Sequence, residues 1–182
     1  MIPVGYMAKR VYARPAWLKN PTIADICSVS ACISENFAKY IDYWKHNGYW
    51  LFDSPAIIQC LAKENSIDLN GTTLFYYEAY PCEFDEDQMK WKSFSPEPAF
   101  KTEVQSPAQE NHVGFDIVCF HLGNAAECSP LSCNGLADTV NVNAHCLLES
   151  LEEAKALLEQ GKFNNSEPGP FRIFAVYSVQ WS

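Results

Sequence analysis

The chain has 182 residues, of which 48% are hydrophobic and 19% charged, with a formal net charge of −9. This length supports one domain, residues 1–182, with its own core, and the composition excludes intrinsic disorder. The chain has thirteen basic and twenty-two acidic residues, and only three of the basic ones are arginines. This composition argues against nucleic acid as a partner.

The N-terminal residues lack the basic and apolar stretches of a signal peptide. No apolar run approaches the ~18 residues that a membrane span needs. We therefore expect a cytoplasmic protein without membrane contact. Its eight cysteines are then expected to be reduced thiols, most of them buried.

The first third of the chain carries two strand signals and one helix signal. Strand-forming residues predict extended segments at 4–12 and 23–33. Ser34 is a natural helix cap, and the apolar residues after it recur at helical spacing, which predicts a helix over 35–46.

A strand–helix–strand unit is predicted next. A short apolar strand at 49–52 leads to Ser54 and Pro55, which suit an N-cap and a first helical position, so a helix should run to about Glu64. Residues 72–80 are rich in β-branched and aromatic side chains and predict the second strand.

A second unit of the same kind is predicted near the C-terminus. Residues 143–148 read as extended, and Ser150 with Glu153 three residues later forms a capping box. Gly161 stands where the helix should end, and Phe171–Val179 is again a strand.

The two units align with each other, which predicts an internal duplication with halves at about 22–81 and 113–179. The aligned pairs are Asn47 with Asn143, Leu51 with Leu147, Ser54 with Ser150, and Leu61 with Leu157. Upstream of each unit the pattern Cys-Ser-x-x-x-Cys occurs once. Short helical units converge on the same caps, so chance similarity stays open.

The fold that follows is a two-layer α+β sandwich with a mixed sheet and pseudo-twofold character. The halves are joined by an acidic connection at 82–112 that contains prolines and, near 87–91, one turn of helix.

The two cysteine patterns offer a zinc site as an alternative to buried structural thiols. Four thiolates can complete a tetrahedral zinc site. However, alternation along a strand would place Cys27 and Cys32 on opposite faces. Apart from this zinc alternative, we expect no cofactor. The four cysteines are Cys27, Cys32, Cys128 and Cys133.

A cysteine-dependent enzyme is a second alternative. Cys133 lies in a turn that would expose its thiol, and His145 could act as the paired base. No third orienting group is evident from the sequence, and there is no P-loop or glycine-rich dinucleotide motif.

The favoured function is a small acidic protein-binding or inhibitory protein, of the immunity or antitoxin kind, rather than an enzyme. Aromatic side chains inside an acidic connection form a docking surface suited to a basic protein. A homodimer is also conceivable through an exposed edge at Phe171–Val179, close to Trp181. The docking residues are Asp85, Glu86, Asp87, Trp91, Phe94 and Phe100.

Overall fold

The computed structural model describes residues 1–37, 47–97, 103–120 and 128–181. Within these ranges the protein is a mixed α+β fold with a curled antiparallel sheet and few helices. None of the helices in these ranges is long and apolar enough to cross a membrane.

The sheet has the strand order β2-β1-β3-β6-β5, and β4 pairs with the C-terminal part of β3. The strands are β1 (Ile2–Arg10), β2 (Glu35–Asn36), β3 (Thr73–Asp85), β4 (Lys90–Ser93), β5 (Asn111–Cys119) and β6 (Phe171–Val179). The helices are α1 (Pro55–Glu64), α2 (Pro130–Cys133) and α3 (Leu151–Glu159), with a 3-10 turn at Leu136–Asp138.

The core lies around the two central strands, β3 and β6. Buried side chains form two groups, one containing Ile58 and Tyr77 and the other containing Ile117, Leu158 and Phe171. Burying each such side chain contributes roughly 1.5–3 kcal/mol, which explains why the aromatic and β-branched residues of these strands take the centre of the sheet.

The predicted mixed sheet is wrong for the described strands, because every pairing among them is antiparallel. The prediction needed residues 49–52 to be a full strand beside the one that follows α1. Instead, this segment makes a single bridge, between Phe52 and Tyr6. Leu148 makes the corresponding bridge to Phe115 ahead of α3. The paired strands before and after α1 are therefore β1 and β3, and those before and after α3 are β5 and β6.

Two predictions in the first third are also wrong. Residues 23–33 form no strand and contribute only a bridge between Asp25 and Ala13. Glu35 and Asn36 pair with β1 rather than open a helix. The remainder of the predicted helix, residues 38–46, lies outside the described residues.

The predicted connection at 82–112 contains sheet structure. Strand β3 continues to Asp85, turns and pairs with β4, and β5 begins at Asn111. Residues 86–89 form the turn of this hairpin, so the helical turn predicted near 87–91 is wrong. The hairpin is held by cross-strand packing of Phe84 against Trp91, whose ring centroids are 5.1 Å apart.

Strand β6 is not the exposed edge that the homodimer prediction required. It pairs with β3 along one side and with β5 along the other. Its backbone hydrogen-bonding groups are therefore used inside the sheet, and dimerisation by strand addition at Phe171–Val179 has no free edge there.

The two helices begin at the predicted serines but are capped differently. Ser150 Oγ accepts a hydrogen bond from Glu153 N at 3.1 Å, whereas Ser54 makes no side-chain capping bond. At the other end, Gly161 has φ of 69°, as the predicted stop requires.

This contrast predicts that removing the Ser150 hydroxyl destabilises the protein more than removing the Ser54 hydroxyl. Ser150→Ala should lower the free energy of unfolding by about 1 kcal/mol, because Glu153 N loses its partner. Ser54→Ala, the matched control, should cost clearly less. Urea unfolding of both variants measures this, and equal losses would contradict the assignment of the cap.

Candidate metal centre

Three cysteines from two distant loops meet beside the sheet. The sulfur atoms of Cys32, Cys128 and Cys133, here called the three-cysteine cluster, all lie within 4.8 Å of one another. Cys32 is exposed, and the other two are partly buried. Of the four predicted metal ligands, the structure thus brings three together, and Cys27 joins a different group.

A buried carboxylate on β5 holds the two cysteine-bearing loops together. Asp116 accepts hydrogen bonds from the Ser28 hydroxyl at 2.6 Å and from Val29 N at 2.9 Å. Its other oxygen accepts from the Ser129 hydroxyl at 2.6 Å. One side chain therefore joins the loop ahead of Cys32 to the loop that carries Cys128 and Cys133.

A buried lysine on β1 supports the first of these loops. The Lys9 ammonium donates to the carbonyl oxygens of Ser28 and Ser30, the latter at 2.7 Å. Burial lowers the pKa of Lys9 to about 7, although the nearby Asp116 carboxylate opposes this shift. Burial also raises the pKa of Asp116. The two opposite charges stabilise each other in a region without solvent.

The backbone at each clustered cysteine is also fixed. Cys32 N donates to Ser30 Oγ at 3.1 Å, Cys133 N donates to Ser129 O at 2.7 Å, and Cys128 O accepts from Cys119 N at 2.9 Å. The sulfur positions therefore follow from the hydrogen bonds of the surrounding chain.

The contacts within the cluster shift the pKa values of its thiols in different directions. Hydrogen bonds from Cys128 and Cys133 lower the pKa of Cys32, and the Lys9 ammonium adds to this effect. The contacts with Cys133 and Cys32 raise the pKa of Cys128. The contacts among the three sulfurs therefore favour the thiolate at Cys32 over the thiolate at Cys128. Binding of a cation by all three sulfurs would release the remaining thiol protons.

A second group of side chains, here called the pocket cluster, consists of Asp25, Cys27 and His145. His145 Nδ1 lies 2.7 Å from Asp25 Oδ1, and the Cys27 thiol lies 3.5 Å from the same oxygen. Burial raises the pKa of Cys27, and the charge of Asp25 raises it further. The predicted pair of Cys133 and His145 is therefore divided between two clusters, and each has other partners.

The acidic residues predicted to dock a partner have contacts within the chain. Asp85 pairs with the Lys92 ammonium, and Glu86 Oε1 accepts a hydrogen bond from Gly169 N at 2.7 Å. Asp87 is exposed in the hairpin turn.

The predicted docking aromatics are half-buried where the structure describes them. Trp91 Nε1 donates to Glu159 at 2.8 Å, and the Arg172 guanidinium lies 3.2 Å from the centre of the Phe94 ring. Phe100 lies outside the described residues. Binding of a basic protein at this surface stays a prediction.

Three residues of these sites were missed at the level of sequence: Lys9, Asp25 and Asp116. Asp116 interrupts the apolar part of β5, and a lone charge in such a run is a signal for a buried polar network. Lys9 has a weaker signal, because Arg10 follows it at the end of β1. Asp25 has the same signal as Asp116, because it is the one charged residue in the largely apolar segment 23–29.

Comparison of the chain with protein-family models, curated proteins and solved structures gives no match.

Proposed function

We propose that this is a zinc-binding protein in which the three-cysteine cluster holds a structural zinc ion. The observation that carries this proposal is the convergence of Cys32, Cys128 and Cys133 from two loops that are about a hundred residues apart in the sequence. It corresponds to the zinc-stabilised alternative left open by the sequence, with Cys27 removed from the ligand set.

The spacing of the sulfur atoms supports zinc. A zinc–sulfur bond of about 2.3 Å in tetrahedral geometry places two sulfurs roughly 3.8 Å apart. The observed separations are at most 4.8 Å, so each sulfur needs to move by less than about 1 Å. Because the backbone at each cysteine is already hydrogen-bonded, binding needs little ordering of the chain.

The charges support zinc as well. Three thiolates and one divalent cation leave a net charge of −1, and the buried Lys9 ammonium lies close enough to favour the thiolate forms of Cys32 and Cys133. A zinc ion replaces thiol protons, so its binding free energy becomes folding free energy. Three thiolates also leave one of four tetrahedral positions for a further ligand.

We also infer that the two units arose by duplication, and equivalent hydrogen bonds support this. Asn47 Nδ2 donates to Val4 O at 2.8 Å, and Asn143 Nδ2 donates to Val113 O at 2.7 Å. Each asparagine oxygen accepts two backbone N–H groups in its own loop, from Tyr49 and Leu51 in one unit and from His145 and Leu147 in the other.

The equivalence extends to the sheet. Gly5 on β1 faces Tyr77, Gly114 on β5 faces Val176, and Tyr77 and Val176 face each other at the centre. Strand β1 thus belongs to the first unit, ahead of the boundary at residue 22. The two-layer packing of the helices stays a prediction.

The other predicted functions have less support from the contacts. A cysteine enzyme built on Cys133 would need His145 beside it, and these residues belong to different clusters. A protein-binding or inhibitory role is compatible with a zinc-held scaffold and stays a prediction.

The zinc proposal predicts a metal-loaded protein. Native mass spectrometry of the wild type, purified without chelator, should show bound zinc. Each of the variants Cys32→Ser, Cys128→Ser and Cys133→Ser should contain one zinc ion per chain fewer than the wild type. Cys60→Ser, which changes an exposed thiol outside the cluster, should keep it. Removing zinc should lower the melting temperature by roughly 10 °C, since a bound ion in large excess over its dissociation constant contributes about 4 kcal/mol.

Two results would contradict the proposal. One is an unchanged zinc content in all three serine variants. The other is a native mass without metal in which two of the three clustered sulfurs form a disulfide.

A further inference from the structure

We propose that the pocket cluster is a second metal site, an open zinc site that binds a small ligand with an anionic donor group. It lies in a different place from the three-cysteine cluster, uses none of its ligands, and goes beyond the structural zinc proposed above. Asp25, Cys27 and His145 supply one carboxylate, one thiol and one imidazole, and their ligand atoms lie within 4.8 Å of one another.

The distances are close to those of a bound ion. Zinc bonds of roughly 2.0–2.3 Å in tetrahedral geometry place a sulfur about 3.6 Å and a nitrogen about 3.4 Å from a carboxylate oxygen. The observed separations from Asp25 Oδ1 are 3.5 Å to Cys27 Sγ and 2.7 Å to His145 Nδ1. A displacement of about 0.7 Å at the imidazole is enough to admit the ion.

The two loops that carry these ligands are joined to each other by their backbones. Ala24 N and Asp25 N both donate to Ala144 O, at 2.8 and 3.2 Å. Cys27 N donates to His145 O at 3.1 Å. The ligands of one loop are therefore fixed relative to the ligand of the other before any ion binds, which is what a metal site requires of its supporting shell.

The same contacts argue against a thiol nucleophile. The Cys27 thiol and the imidazole Nδ1 both face one carboxylate oxygen, so the imidazole Nδ1 is occupied by Asp25 rather than by the thiol. The Cys27 thiol is also buried, and the nearby imidazole is paired with Asp25, which is unlike the accessible, base-activated environment of a reactive cysteine. A divalent cation among the three atoms would instead take the sulfur as a ligand, because a coordinating thiol loses its proton.

The cluster opens into a pocket of about 570 Å³ that can hold a small molecule. The side chains of His145 and Asp25 are 44% and 33% exposed, so both reach solvent while Cys27 is buried. Three protein ligands leave the fourth position of a tetrahedral ion open, as in catalytic zinc sites. Other residues around the pocket are Tyr12, Thr73, Asn111 and Ser178.

The charge of the loaded site defines the ligand class. One carboxylate, one thiolate and one neutral imidazole cancel the two charges of zinc, so an anionic donor brings the loaded site to a net charge of only −1, the same as that of the three-thiolate site. A carboxylate, a phosphate or a hydroxide therefore suits the open position, with the polar rim of the pocket available to the rest of the molecule.

Metal counting in paired variants tests this inference separately from the first proposal. The wild type should bind two zinc ions per chain, Cys133→Ser one, His145→Gln one, and the double variant none. His112→Gln, the matched control, changes a histidine that packs on Phe115 and Tyr177 and should keep both ions. A His145→Gln variant that binds as much zinc as the wild type overturns the inference. If only Cys133→Ser loses zinc, the structural site stands alone.

Cobalt gives a second readout in the Cys133→Ser background. Co²⁺ added to this protein should produce a thiolate-to-cobalt absorption band from Cys27, and this band should be absent in the further variant Cys27→Ser. Asp25→Asn should weaken cobalt binding more than about 100-fold, beyond the cost of changing an outer partner of a ligand. A cobalt spectrum that is indifferent to Cys27 and Asp25 would overturn the inference even if every variant folds.

Discussion

Asp116→Ala should be among the most destabilising single substitutions in this protein, with an expected loss of about 3–5 kcal/mol in the free energy of unfolding. The substitution leaves the Ser28 and Ser129 hydroxyls and Val29 N without their acceptor. It also leaves the buried Lys9 ammonium without its nearby carboxylate. Because Asp116 joins the two cysteine-bearing loops, zinc binding at the three-cysteine cluster should weaken in the same variant.

Two control variants separate these causes. Asp116→Asn keeps the shape and one acceptor oxygen, and the Ser129 hydroxyl can rotate to accept from the amide, so its loss should be smaller. Asp87→Ala removes an exposed carboxylate from the hairpin turn and should change stability by less than about 0.5 kcal/mol. Urea unfolding with zinc and with chelator measures both effects. An Asp116→Ala variant that retains full stability and full zinc content would refute the bridging role.

The elements that could be predicted from the sequence are those with local signals. Ser54 and Pro55 mark the start of α1, and Ser150 and Gly161 bracket α3. Capping and left-handed backbone preferences act within one turn of helix, so they are readable without knowledge of the fold. Strand β6 matches its predicted bounds because seven of its nine residues are apolar or aromatic.

The elements that were missed depend on contacts with a partner strand rather than on their own composition. Strand β4 is polar at alternate positions and exists because Trp91 packs on Phe84 and Tyr80 across the hairpin. Strand β2 has two residues and is defined only by its pairing with β1. Composition cannot reveal such strands, because the stabilising contact comes from another part of the chain.

The candidate sites show the same division. The chemistry of the cysteines was visible in the sequence, but their grouping was not. Cys27 and Cys32 are five positions apart, yet Cys27 joins Asp25 and His145 whereas Cys32 joins Cys128 and Cys133. The loop between them is held by Lys9 and Asp116, which lie on different strands. Spacing along the chain therefore singled out these cysteines but not the groups in which they lie.

Gly114→Ala is the other substitution with a large expected effect, and Gly5→Ala should match it. Gly114 has φ of 149°, and an added Cβ would lie 2.7 Å from Leu147 Cβ and 2.9 Å from Leu148 O. Gly5 has φ of 130°, and its Cβ would meet Phe52 O at 2.7 Å. Backbone strain and this close contact together should cost each variant about 3 kcal/mol or more.

Gly71→Ala is the control for a positive φ without a close contact. Gly71 also has a positive φ, 72°, but its Cβ would meet nothing nearer than Arg10 Nη1 at 3.7 Å. Its loss should be limited to about 1–2 kcal/mol of conformational energy. Thermal or urea unfolding of the three variants measures the difference.

Similar large losses of stability at Gly5 and Gly114 would mean that both strands need a glycine where the asparagine loop packs against the backbone, as expected of duplicated units. A loss at either position no greater than that of Gly71→Ala would show that the loop can move away. The proposed equivalence of the two units would then have no support from stability.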